Sequence, residues 1–301
     1  MQPSRYGPFP FVPIIDRPRY VLPNNARIAV WVIPNIEFFG LDDPMPGNHN
    51  ERIPRETAKI PAVRPWAQRE YGNRIGIWRV MDVLDRHDIR GTVALNSEIC
   101  DHAPQIIEAT MKRGWEIMGH NQTNAIRLNE MPPEEELASI EATLDRIESA
   151  TGKRPIGWLS SGLSETWNTL DHLIACGVKY VADWTCDDQP FEMNVDGKRL
   201  VSIPYSFELN DAPMVYHNKV STAEFEQMIK WQFDVMYREG AESGRVMAIC
   251  LHPFIIGVPH RIGALDRALE YIRSHHEVWY ATGTEIVEHY LASAAAAKLA
   301  P

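Results

Sequence analysis

Residues 27–37 read RIAVWVIPNIE, and this pattern sets the architecture. After Arg27 come Ile28, Ala29, Val30, Trp31, Val32 and Ile33, with no polar side chain among them. An unbroken, β-branched apolar run of this length predicts a strand buried on both faces, as in a parallel sheet covered by helices. Polar side chains arrive only beyond the run, at Asn35 and Glu37. The same arrangement recurs in GTVALN (91–96), WEIMGH (115–120), IGWLS (156–160), KYVADW (179–184), RLVSIPY (199–205), RVMAICLH (245–252) and VWYAT (278–282). Between these runs the apolar residues adopt helical spacing, as at Ile77, Val80, Met81 and Leu84. Helices are predicted over 75–87, 104–113, 133–150, 164–175, 223–239 and 261–274. The third opens on Pro132-Pro133-Glu134, with the acidic first turn that the helix dipole favours. Strand–helix alternation repeated seven or eight times specifies an α/β fold with a parallel sheet.

The placement of polar residues selects a barrel. Asn35 and Glu37 follow the first strand, His120 and Asn124 the third, and Ser160 and Ser161 the fourth. Asp183, Asp187 and Asp188 follow the fifth, Tyr205 the sixth and His252 the seventh. In a parallel barrel these C-terminal strand ends converge on one mouth, where enzymes of the eightfold type place their sites. An open sheet would concentrate its site at a switch point fed by fewer strands. A parallel (β/α) barrel of seven or eight strands is therefore expected over 27–292, as a single domain. An N-terminal arm (1–26), rich in Pro and aromatics, packs on that domain or on a neighbouring subunit. Residues 34–70 read as a long irregular segment, and 293–301 as a C-terminal tail.

Composition narrows the function. A net charge of −10 without a basic patch argues against nucleic acid and points to a small, neutral or weakly charged substrate. The N-terminus lacks the basic-then-apolar pattern of a signal peptide, and no apolar run is long enough to span a bilayer, so a cytoplasmic location is expected. Cys100, Cys176, Cys186 and Cys250 form no C-x-x-C pair and read as buried free thiols. The G-x-S-x-G elbow, H-E-x-x-H, the P-loop and a strand-linked G-x-G-x-x-G are all missing from the sequence. One carboxylate and two histidines at a barrel mouth suit hydrolysis, with a base for water, an acid for the leaving nitrogen and donors for the oxyanion.

Several of these segments resemble the polysaccharide deacetylase superfamily (carbohydrate esterase 4). They are N-I-E (35–37), GH-x3-N (119–124), GW-x-S-S (157–161), D-W-x-C-D-D-x-P-F (183–191) and LHP (251–253). The resemblance covers about residues 25–290 and implies a distorted (β/α) barrel. In metal-dependent members an Asp of the first motif is the base, and the remaining motif residues hold zinc or a similar ion. Those positions here are Asn35, Glu37, His120 and Asn124, so the expected base and one histidine ligand are both amides. A neutral Asn side chain takes no proton at pH 7 and is a poor zinc ligand. EYGNRIGIWR (70–79), PIGWLSSGLSETWNTL (155–170) and LHPFIIGVPHRIGAL (251–265) resemble the branch of metal-independent allantoinases and metal-using cyclic imide hydrolases more closely.

The resemblance implies hydrolysis of a non-peptide C–N bond in a small, cyclic amide, ureide or imide, with no cofactor. Glu37, its pKa raised by burial, would activate water; His120 would hold the water or polarise the carbonyl; His252 would protonate the departing nitrogen. Asn35 and Asn124 would donate to the oxyanion. Arg74, Trp158, Ser160 and Asp183 are the further candidates for substrate contact. Two alternatives stay open: a divalent ion (zinc, manganese or cobalt) held by Glu37, His120 and Asn124 in a deacetylase or imidase, and a ligand-binding pseudoenzyme. The resemblance and the apolar arm point to a homo-oligomer, a tetramer being one form.

Overall fold

Nine strands occur among the residues described by the computed structural model, 5–43 and 61–293. They are β1 (Ile28–Ile36), β2 (Thr92–Leu95), β3 (Glu116–Gly119), β4 (Gly157–Trp158), β5 (Tyr180–Val181), β6 (Phe191–Val195), β7 (Lys198–Ser202), β8 (Arg245–Leu251) and β9 (Val278–Tyr280). The helices are α1 (Val63–Tyr71), α2 (Ile77–Arg86), α3 (Ile99–His102), α4 (Pro104–Lys112), α5 (Pro133–Thr151), α6 (Thr169–Ala175), α7 (Thr222–Glu239), α8 (Ile262–Arg273) and α9 (Gly283–Ala292).

β1 is buried along its whole length, as its uninterrupted apolar run requires. It pairs in parallel with β8 on one side. On the other, β9 takes its first residues and β2 its last two. The sheet runs β6-β7-β5-β4-β3-β2-β1-β8 and curls into a half-barrel, a distorted (β/α) barrel in which only the β6–β7 pair is antiparallel. The end strands do not pair, so the barrel has a seam. Loop backbone closes it, with Val246 N–H donating to the Asp188 carbonyl and Cys250 N–H to that of Leu209, both at 2.9 Å.

The structure corrects the sequence reading in several places. β6 was not expected; Phe191, Met193 and Val195 alternate inward, and Asp196-Gly197 turns the chain with both residues at positive φ. That Asp-Gly pair between alternating residues is a hairpin signal. Residues 63–71 are helical rather than irregular; α1 buries no side chain, so it carries no apolar stripe to read. Residues 44–60 of the long segment lie outside the described residues, as do 294–301 of the tail. α6 begins at Thr169, after a short 3-10 turn at Ser161–Leu163, and α9 follows a Thr282/Glu285 capping box. Cys186 is exposed, while the other three cysteines are buried; all four are free.

The arm packs on its own barrel. Arg17 donates to both carboxylate oxygens of Asp187, at 2.7 and 2.6 Å, and to the Val12 carbonyl, while Tyr20 and Leu22 are buried.

A wide π-helical turn, Gly72–Gly76, joins α1 to α2 and lies against the loop after β8. A Cβ on Gly76 would sit 2.1 Å from the Pro253 carbonyl oxygen, and one on Gly72 2.6 Å from the Phe254 nitrogen. Neither neighbour is a flexible side chain, so only glycine permits the contact that seats the loop beginning at His252. Gly76→Ala is expected to cost about 1–3 kcal/mol in stability, the usual range for overpacking, read by urea denaturation. Unchanged stability would show that the loop moves freely.

Candidate active site

The mouth is assembled from chain segments far apart in sequence. Asn96, just past β2, accepts a hydrogen bond from the Phe38 N–H at 2.9 Å and donates its own amide to the His120 carbonyl. One side chain thus fixes the segment carrying Glu37 beside the one carrying His120. Asn73, on the Gly72–Gly76 turn, donates to the Glu37 carbonyl at 2.9 Å and holds that segment from the other side.

Glu37 is largely shielded from solvent, and both side-chain contacts fall on Oε1. Asn124 Nδ2 donates to it at 2.7 Å, and His252 Nε2 lies 3.4 Å away. His252 is buried and bridges two carboxylates, its Nδ1 lying 2.7 Å from Asp211 Oδ1. The Asp211 carboxylate also accepts the His252 backbone N–H. This third member was missed in the sequence, because a lone Asp in a loop has neither spacing nor a strand to mark it.

The charges are set by this geometry. Burial works against a charged His252, but Glu37 and the bonded Asp211 outweigh it and push its pKa up to about 10. Burial works against a charged Glu37 too, yet His252, then His120 and Arg69, bring its pKa below the ordinary value. The expectation that burial raises Glu37 is therefore corrected: the charge of His252, with that of Arg69 added, wins, and the group is a carboxylate at neutral pH. Asp211 is raised by burial, against the pull of His252. His120 is lowered by burial, and its Nδ1 lies 2.6 Å from the Leu159 carbonyl. A carbonyl can only accept, so Nδ1 carries the proton and Nε2 presents a lone pair.

The remaining candidates separate. Both Asn35 amide hydrogens point at the carbonyls of Ile33 and Leu251, and its Oδ1 accepts from the Tyr205 hydroxyl, so Asn35 ties β1 to the end of β8 instead of facing an oxyanion. Trp158 is fully buried in the core with its Nε1–H on Ser160 Oγ, and Ser160 is buried beneath it. Their expected contact with substrate is replaced by packing. Asp183 accepts the Ser160 N–H at 2.7 Å, and burial raises its pKa; nearby Glu165 is raised well above the usual range by burial and by Asp183. Arg74 is exposed on the π-helical turn. Arg69 is the arginine whose charge reaches Glu37, its guanidinium 4.7 Å from the Phe39 ring centroid and 5.5 Å from that of Phe254.

Glu37, His120 and Asn124 do not fit a resident zinc-type ion. Glu37 Oε1 is occupied by an amide N–H and faces a charged imidazolium, and Asn124 turns a donor, not a lone pair, toward Glu37. Among the described residues no three His, Cys, Asp or Glu side chains are grouped to hold a metal. The metal-to-protein ratio of the purified protein, read by elemental mass spectrometry, is expected to fall well below one. A ratio near one zinc, manganese or cobalt per chain would overturn this reading.

Residues 71–181 match the polysaccharide deacetylase family profile. The chain carries a polysaccharide deacetylase family domain. A Schizosaccharomyces pombe protein named as a polysaccharide deacetylase is 27% identical over 299 residues, covering 90% of this chain and 92% of that one. The crystal structure of PuuE allantoinase is similar at TM-score 0.80 and 27% identity, covering 92% of this chain and 94% of that one. A Pseudomonas aeruginosa PAO1 structure classed as a polysaccharide deacetylase matches at TM-score 0.80 and 26% identity, with 92% and 95% covered. The domain is thus that of a polysaccharide deacetylase-like hydrolase. No helix among the described residues is long and apolar enough to cross a membrane.

Proposed function

We propose that the chain hydrolyses the C–N bond of a small cyclic ureide or imide without a resident metal. The observation that carries this reading is the Asp211–His252–Glu37 row, in which a carboxylate lies 3.4 Å from an imidazolium backed by a second carboxylate. A base that is already ionised and an acid that is already protonated are what hydrolysis near neutral pH requires. The likeness to an allantoinase over 92% of the chain supports a ureide as the substrate class.

The proton balance is as follows. Glu37 takes a proton from water through Oε2, the oxygen left by its Oε1 contacts, while the water oxygen bonds to the carbonyl carbon. His120 Nε2 accepts the other water hydrogen and orients the nucleophile. His252 Nε2–H lies against the developing oxyanion and then passes its proton to the departing nitrogen as the C–N bond breaks. Glu37 then returns its proton to His252, which restores both groups; the carbonyl carbon is left as a carboxylic acid that gives its proton to solvent, and the nitrogen as a ureido or amide N–H. Asn124 holds Glu37 in place, and the charge of Arg69 adds to that of His252 in keeping it ionised.

A substrate panel of allantoin and other hydantoins, cyclic imides and N-acetylglucosamine oligomers, followed by NMR, tests the reading. Ring opening is expected. Acetate release from the sugars alone would replace it with a deacetylase, and a folded protein inert to the whole panel would overturn it in favour of a binding role.

A further inference from the structure

The arm and the barrel enclose a cavity of about 840 Å³ beside the seam. Tyr205, Val246 and Ala248 line its barrel side, and none of Glu37, His120, Asp211 and His252 takes part. One wall is aromatic. Phe9 of the arm packs edge-on against Trp184 at 5.6 Å, Phe191 at 4.8 Å and Tyr6 at 5.8 Å, and all four line the cavity. The arm is held there by the bidentate Arg17–Asp187 pair, which ties the wall to the barrel.

The charges around this space are unbalanced. Among the described residues Asp187, Asp188, Glu192 and Glu208 line it together with one lining cation, Arg17, which is already bonded to Asp187. Glu192 meets Arg199 through Oε2 at 2.8 Å, while its Oε1 is buried without a hydrogen-bond donor. Burial also raises the Asp188 pKa, although Arg245 pulls it down, and the neighbouring Asp187 adds to the rise. An aromatic wall facing surplus carboxylates is the arrangement that recognises a cation with an apolar body.

We propose that this cavity binds an organic cation, a primary ammonium or guanidinium on an aromatic or aliphatic body. The body lies along Phe9 and Trp184, and the charged end lies among Asp188, Glu192 and Glu208. The ligand is separate from the substrate hydrolysed at the mouth.

Isothermal titration of the full chain with three isosteric probes tests this: 4-phenylbutylamine, 4-phenylbutanol and 4-phenylbutyrate. The amine is expected to bind about tenfold or more tightly than the alcohol, as a cation–π contact joined to carboxylate contacts implies, and the butyrate not at all. Asp188→Asn combined with Glu208→Gln is expected to weaken amine binding by a similar factor; both side chains are exposed, so the fold is retained. Glu37→Gln is expected to bind the amine normally, which separates this cavity from the mouth. Absence of amine binding, equal binding of amine and alcohol, an unchanged affinity in the double variant, or loss of binding in Glu37→Gln would each overturn the proposal.

Discussion

Glu37→Gln is expected to lower kcat/KM roughly 100- to 10,000-fold, the usual contribution of a general base, while the protein stays folded. Glutamine keeps the size of the side chain and an oxygen to accept from Asn124, so the 2.7 Å contact persists. It cannot take a proton from water. The substitution also removes the strongest influence holding the His252 proton, so the acid weakens along with the base. Asp211 remains bonded to His252 and supplies the counter-charge of the imidazolium, so no unpaired buried ion is left behind. Turnover of the substrate found in the panel, measured beside a thermal melt, gives the answer. A folded variant with near-normal turnover would remove Glu37 from the reaction.

The second large effect concerns pH. His252 acts as an acid only while protonated, so activity falls as pH rises through its pKa of about 10. Glu37 acts only as a carboxylate, and with its pKa lowered the acid limb lies below the ordinary Glu value of 4.5. A plateau spanning neutral pH is expected between these limits. Asp211→Asn keeps an oxygen for His252 Nδ1 but deletes a charge that raises its pKa. The alkaline limb should then move down toward the ordinary histidine value of 6.5. A role limited to structure would lower the rate without moving that limb, so an unshifted limb would refute the assignment. Linkage adds a stability readout. The raised His252 pKa contributes stability that is full below 6.5 and lost as pH rises through about 10, whereas the lowered Glu37 pKa contributes above 4.5 and is lost in acid.

The strands were legible because burial on both faces leaves an uninterrupted apolar signal, as in residues 28–33. The convergence of Glu37, His120 and His252 followed from strand polarity alone, since parallel strands end at one mouth. Side-chain direction was not legible. β4 has only two residues, too few to show which of them faces the interior, and Trp158 points into the core formed with Leu144 and Leu170. Arg69 escaped notice because α1 buries nothing and so gives no periodic pattern, whereas Arg74 drew attention from its place in a recognisable segment. Asn35 was read as a donor from its residue type, but Ile33 and Leu251 had already claimed its hydrogens. Partners of this kind exist only in the folded chain.

The pairing of β1 also orders events during synthesis. Ile28 meets Arg245 on one side and Val278 on the other, residues made 217 and 250 positions after it. Until those residues leave the ribosome, the most apolar strand of the protein has no neighbour for its first half. Contacts this distant slow folding and leave apolar surface uncovered meanwhile. A nascent chain stalled before residue 245 should therefore engage general chaperones through residues 28–33, and release should coincide with the appearance of β8.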